Sequence, residues 1–275
     1  MRIFSLNILK FSLLLWLASC GGNDGVQPSV SQVQATALLY GQQAVILVAG
    51  KYMRNDMVAD TGACTGPVFR ADSGPELAIL TCKVTSAGPL TVTIRTANGN
   101  ILFTETLMVP LPRVLLVTSK GNVELELNPQ VAPITVNNFL GYVYRGFYRN
   151  TLFHRVIPGF VVQGGGFTTG LIKKDGQISP IFLETNLGLQ NKRSAVAMAR
   201  TSDPNSATSE FFVNLSDNPL LDYQSASNPG YAVFGKVLTG MDVIDSIATL
   251  PTSTVGSFEN VPTTDVTINF AIQTQ

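Results

Sequence analysis

Histidine is almost missing from this chain: His154 is the only one in 275 residues, beside a single tryptophan and three cysteines. There is no His-Glu-x-x-His, no Gly-x-Ser-x-Gly, and no Lys-Ser or Lys-Thr after the glycine run Gly164-Gly165-Gly166. A zinc protease, a hydrolase nucleophile elbow and a phosphate-binding loop are thereby excluded. A Ser-His hydrolase would have to pair His154 with a distant serine, and a lone histidine in an apolar strand is more often a packed, hydrogen-bonded residue. Charge is scarce as well. Charged residues make up 13%, and 18 Lys plus Arg balance 18 Asp plus Glu. A nucleic-acid partner needs a concentrated cationic face, so none is expected. No second pair of ligands accompanies the cysteines, which argues against a metal site, and nothing implies a cofactor.

What the chain has is apolar mass: 45% hydrophobic residues and 15 Phe, too much for a disordered polypeptide. Its length fits two domains, each able to bury a core. At the start, Arg2 and Lys10 accompany an apolar segment ending at Ala18, too short to span a bilayer and shaped like the apolar part of a secretory signal. Leu17-Ala18-Ser19-Cys20 follows. It resembles the lipobox of bacterial lipoproteins, which implies a signal peptide over 1–19 and a diacylated Cys20; an ordinary signal peptide cut nearby is the alternative. Residues 20–32 are polar and rich in Gly, Asn, Gln and Ser, the composition of a flexible tether. Gly21 after the cysteine resembles lipoproteins sent to the outer membrane.

From 33 to 110 the pattern is one of short β-rich runs, at 44–48, 77–84, 90–96 and 101–109, with Asn98-Gly99 as a hairpin turn between the last two. A small β-sandwich, Ig-like in outline, is the expectation. Cys64 and Cys82 are the thiols left after lipidation. In an exported chain they most simply form one disulfide, closing a loop of about 18 residues and stabilising the domain by about 3 kcal/mol in the chain-entropy view. Two free buried thiols are the alternative. Pro110-Leu111-Pro112 then denies the backbone a strand or helix and marks a semi-rigid joint.

Residues 113–275 read as a second domain. Val123, Leu125 and Leu127 alternate with Glu124 and Glu126, giving one buried and one wet face to a strand that pairs with 114–118. Residues 132–144 read as a helix with Pro133 in the first turn and Val136, Phe139, Leu140 and Val143 on one stripe; 242–249 reads as another, carrying Val243, Ile244, Ile247 and Ala248. Further strands are expected at 194–199, 209–214, 231–237 and 266–272.

The stretch 153–167, Phe-His-Arg-Val-Ile-Pro-Gly-Phe-Val-Val-Gln-Gly-Gly-Gly-Phe, combines a cation, an amide, aromatics and three glycines. Two apolar runs meet at the Pro158-Gly159 turn, so Arg155 and Gln163 would lie on neighbouring strands beside Phe160. Alternation places His154 and Arg155 on opposite faces. This stretch is similar to the signature of the cyclophilins, peptidyl-prolyl cis-trans isomerases. Gly146-Phe147-Tyr148, Ala197-Met198-Ala199, Ser209-x-Phe211-Phe212 and Val233-Phe234-Gly235-Lys236-Val237 follow in the family's order, and the wording is closest to bacterial periplasmic members.

That resemblance implies a mainly β fold: an eight-stranded antiparallel barrel capped by two helices, after the N-terminal sandwich. It implies a proline pocket of Phe160, Phe212 and Leu221, with Val161 where many members have Met, and a peptide-binding pair Ala199 and Arg200, the latter replacing Asn. Leu220 and Tyr231 stand where tight cyclosporin binders have Trp and His. Glu210 replaces the usual Gln, so a carboxylate could orient Arg155 or neutralise it. On composition alone Phe160, Phe212 and Leu221 could equally be barrel core. The expected activity is isomerisation of X-Pro bonds by Arg155, with Gln163 holding substrate backbone. Expected partners are proline-containing polypeptides, the membrane through the lipid, and an envelope protein for the N-terminal domain. The alternative is a scaffolding or peptide-binding lipoprotein that has lost most of its catalysis.

Overall fold

The computed structural model describes residues 26–54 and 56–275. The expected signal peptide, Cys20 and the first part of the tether lie outside the described residues. The N-terminal half contains β1 (Ser29–Ala35), β2 (Gln43–Lys51), β3 (Val58–Asp60), β4 (Cys64–Phe69), β5 (Leu77–Val84), β6 (Gly88–Arg95) and β7 (Ile101–Val109). These form two antiparallel sheets, ordered β1-β2-β5-β4 and β3-β6-β7. Alternating residues such as Ile46, Val48, Leu80, Val92 and Ile94 are fully buried and pool in one core. Three strands went unread in the sequence, each for a physical reason. β1 is polar, burying only Val30 and Val33, and it occupies positions 29–32 of the stretch whose composition reads as tether. β3 has three residues. β4 carries Gly66 and Pro67 at a register shift on a sheet edge, where proline costs no ladder bond. Cys64 and Cys82 are disulfide-bonded. The bridge joins the neighbouring strands β4 and β5 of one sheet, unlike the inter-sheet bridge of antibody domains.

After Pro112 the chain enters β8 (Arg113–Thr118) and β9 (Gly121–Leu127), then α1 (Pro133–Tyr144), β10 (Thr151–Ile157), β11 (Val161–Gly164), the short β12 (Phe167–Thr168) and β13 (Ile172–Lys173), β14 (Ala195–Met198), β15 (Phe211–Asn214), β16 (Val233–Thr239), α2 (Met241–Ala248), β17 (Thr252–Val255), β18 (Phe258–Pro262) and β19 (Thr267–Gln273). The large sheet closes in the order β10-β11-β15-β14-β16-β9-β8-β19, an eight-stranded antiparallel barrel. The period-two reading of β9 holds: Val123, Leu125 and Leu127 are completely buried. Helix α1 buries Val136, Phe139, Leu140 and Val143. Phe139 stands at its centre, within 5.1–5.5 Å of the Tyr148, Phe211 and Phe234 rings.

The strands β11, β14 and β15 are apolar without alternation because both of their faces are covered. Val162, Val196, Phe211 and Val213 point into the barrel core, whereas Val161, Ala195, Ala197 and Phe212 belong to a separate cluster outside the wall, against Phe160, Leu189, Ala199, Leu221 and Tyr231. The second cluster is the floor of a groove. The two halves of the chain touch through Tyr144, whose hydroxyl lies 2.6 Å from Gln273 Oε1 and 3.1 Å from the Tyr40 carbonyl, and through Gln130 Nε2, which donates to the Ala87 carbonyl at 3.2 Å.

Candidate active site

Cross-strand partners in an antiparallel sheet share a face, so register alone aligns a row of side chains. Arg155 on β10 pairs with Gln163 on β11, Gln163 with Phe212 on β15, Phe212 with Ala197 on β14, and Ala197 with Val233 on β16. One transverse row across five strands therefore carries a cation, an amide and an apolar floor. Phe160 reaches the row through the turn after β10, closed by its N–H donating to the Ile157 carbonyl at 3.0 Å. Pro158 and Gly159, at φ 73°, fit the middle positions of a type II turn, which needs a residue at positive φ. Opposite, Tyr231 N–H donates to the Leu221 carbonyl at 2.9 Å and Ala199 N–H to the Glu210 carbonyl at 2.9 Å, tying the far wall to the sheet.

Arg155, Phe160, Val161, Gln163, Ala199, Arg200, Phe212, Leu221 and Tyr231 line a single open cavity of about 300 Å³. Phe212 is 4% exposed and Val161 2%, so the floor is apolar and nearly fully buried. Two residues singled out in the sequence are not on this wall. Leu220 projects from the one-turn helix Pro219–Leu221 into solvent, 82% exposed. Glu210 lies behind Gln163. Arg155 Nη1 donates to Gln163 Oε1 at 3.2 Å, and Gln163 Nε2 donates to Glu210 Oε2 at 3.0 Å. No ion pair joins Arg155 to a carboxylate among the described residues. The guanidinium is half-buried, un-neutralised, and held by one of its five donors.

A carboxylate accepts and never donates while ionised, so Glu210 sets which end of the Gln163 amide faces which way. With the Nε2 end turned to Glu210, the Oε1 end must face Arg155. Burial raises the Glu210 carboxyl, but the hydrogen bond and charge of His154, the Gln163 amide and Lys173 outweigh it, and the net position is below the ordinary value of 4.5. The side chain is thus ionised at neutral pH. Of the two roles open to Glu210 in the sequence, neutralising Arg155 or orienting it, the geometry favours orientation through Gln163.

The expectation that His154 and Arg155 point to opposite faces needs correction. A register shift between Phe153 and Arg155 leaves His154 unpaired, and the bulge cancels the alternation locally. His154 Nε2 accordingly lies 3.3 Å from Glu210 Oε2, in the same network as Arg155. His154 is 5% exposed, packed against the Phe167 ring at 4.7 Å, and does not line the cavity. Its structural role was legible; its place was not, because an extra residue in a strand leaves no mark in an alternating pattern. At Gly166 a side chain has no room. A Cβ there would come within 2.5 Å of Glu210 Cγ, so the glycine makes room for the carboxylate.

A closed eight-stranded barrel with two helices, carrying a free guanidinium over an apolar groove on its outer wall, defines a peptide-binding barrel of the cyclophilin class. Residues 113–272 match the family described as cyclophilin type peptidyl-prolyl cis-trans isomerase/CLD, and the chain belongs to it. Peptidyl-prolyl cis-trans isomerase A of Dickeya dadantii is 51% identical over 158 residues, 58% of this chain and 82% of that protein. Peptidyl-prolyl cis-trans isomerase B of Escherichia coli is 46% identical over 153 residues, 55% of this chain and 93% of that one. Among solved structures, a Cryptosporidium parvum cyclophilin in the presence of the dipeptide Ala-Pro superposes with a TM-score of 0.51 at 26% identity, covering 59% of this chain and 99% of that one. The chain is a peptidyl-prolyl cis-trans isomerase.

Proposed function

We propose that Arg155 catalyses rotation of X-Pro bonds in polypeptides of the bacterial envelope, from a barrel held at the membrane by lipid on Cys20. The single observation that carries the catalytic part is the un-neutralised guanidinium facing a groove with an apolar floor. An X-Pro amide is planar because its nitrogen lone pair is delocalised, and the barrier to rotation is about 18–20 kcal/mol. Near the 90° twist the lone pair returns to nitrogen, which accepts a hydrogen bond only then. A guanidinium N–H placed there stabilises the transition state and leaves the ground state alone. One charge-assisted bond is worth about 1.5–3 kcal/mol, a factor of about ten to a hundred in rate. Clamping the ring on Phe160, Phe212 and Leu221 while the preceding carbonyl turns supplies orientation and water exclusion. No covalent intermediate is needed.

Isomerisation of a short X-Pro peptide tests the mechanism. Arg155→Ala should cost about ten- to a hundredfold in kcat/KM; a variant as fast as the parent refutes the role. For the location, the support is the Leu17-Ala18-Ser19-Cys20 sequence after an apolar segment. Cys20→Ala should abolish radiolabelled fatty-acid incorporation and release the protein from the membrane fraction. Unchanged labelling and fractionation would remove the anchor. Proline-containing polypeptides are the substrates on this reading, in keeping with the dipeptide named for the Cryptosporidium parvum structure.

A further inference from the structure

The cavity carries two cations and no acid. Arg155 and Arg200 both line it, the remaining lining side chains are uncharged, and the whole chain has zero formal net charge, so the excess is local. Arg200 is fixed and not neutralised. Its Nε donates to the Gly230 carbonyl at 3.0 Å, its Nη1 to the Thr201 carbonyl at 2.8 Å, and its Cζ lies over the Tyr231 ring, 4.6 Å from the ring centre. Two carbonyls and a ring face hold the guanidinium, leaving other donors on its edge free. No ion pair to Arg200 is present among the described residues. Glu210 lies behind this wall and is occupied by Gln163 and His154.

We propose that Arg200 is a specificity-determining residue that makes this isomerase prefer proline sites with an acidic side chain next to the proline. The inference rests on the isomerase reading and adds the class of substrate. A carboxylate drawn to Arg200 gains a charge-assisted bond at the groove wall and is kept away from Arg155, whose free donors are needed at the prolyl nitrogen. A lysine at the same place meets two like charges. The half-buried position of Arg200 sets the size of the effect, larger than for a pair in open water and smaller than for a buried one.

The test compares peptides that differ only in Glu, Gln or Lys before the proline, and a second series with the same change after it, on the full chain. Both kcat/KM and peptide affinity are measured, and each result is a ratio within one enzyme preparation, so loss of folded protein cancels. In at least one series the parent should favour Glu over Gln by about fivefold and disfavour Lys, with the preference shrinking as salt rises. Arg200→Gln should bring the Glu-to-Gln ratio to about one, and Arg200→Lys should retain most of it. A parent ratio near one in both series, or a ratio that survives Arg200→Gln, overturns the proposal. Failure of the catalytic reading is separate: it appears as Arg155→Ala without effect, and the affinity ratios still decide the role of Arg200.

Discussion

Glu210→Gln changes a charge and almost no volume, and the geometry sets what it should do. In the parent, Glu210 Oε2 accepts from Gln163 Nε2 at 3.0 Å and faces His154 Nε2 at 3.3 Å, while Gln163 Oε1 holds Arg155 Nη1 at 3.2 Å. A bond to a charged acceptor is worth about 1.5–3 kcal/mol, enough to keep more than about nine-tenths of Gln163 amides in the productive sense. A glutamine in its place can donate or accept, so Glu210's share of that bias is lost, and the Arg155 bond alone is left to hold the Oε1 end toward the guanidinium. The expected loss is therefore small, at most about twofold in kcat with peptide affinity little changed. Isomerisation of an X-Pro peptide gives kcat, and titration of the same peptide gives its affinity. Parent-like kcat would refute the orienting role. A large gain in kcat would mean that the carboxylate drains the cation, and would favour the reading of a weakly catalytic binding module. Stability offers an independent check. The folded carboxyl sits below its ordinary 4.5. Its interactions therefore contribute fully above the unfolded value and fade as pH drops through the lower folded one. The difference in unfolding free energy between parent and Glu210→Gln should shrink below about pH 4.5.

Gly166→Ala puts a Cβ within 2.5 Å of Glu210 Cγ, so the carboxylate must shift; isomerisation should fall at least as far as in Glu210→Gln, and an unimpaired rate would disconnect Glu210 from Arg155. Replacing Cys64 and Cys82 by alanine opens a loop whose ends are 18 residues apart in sequence, and should lower the stability of the two-sheet half by about 3 kcal/mol in thermal unfolding. Because the groove belongs to the barrel, peptide turnover at 25 °C should not change; a parallel loss would show that the N-terminal half supports the site.

The outline of the site was legible because its chemistry is local. Arg155 and Gln163 sit on two strands joined by a Pro-Gly turn that carries Phe160, all within nine positions, so sequence spacing alone put them side by side. The alternation of β9 and the apolar stripes of α1 and α2 were equally plain, since one buried face per element is written directly in residue order. β1 and β4 were not, because edge strands with polar or proline-bearing sequences carry little burial signal. The family resemblance brought in Ala199, Arg200, Phe212, Leu221 and Tyr231, which no local pattern connects to Arg155.

Residue order determined which side chains could take part: one guanidinium beside one amide, a carboxylate where an amide is usual, and enough apolar surface to form both a core and a groove. Tertiary structure decided how they are used. Closing the barrel put Phe211 inside and its neighbour Phe212 outside, a distinction that composition could not make between two adjacent phenylalanines. A single bulge turned His154 toward Glu210. The reason is common to both cases: which face a side chain occupies depends on strand register, and register is set by the pairing of one strand with another, β10 with β11 for His154 and β15 with β11 and β14 for the two phenylalanines.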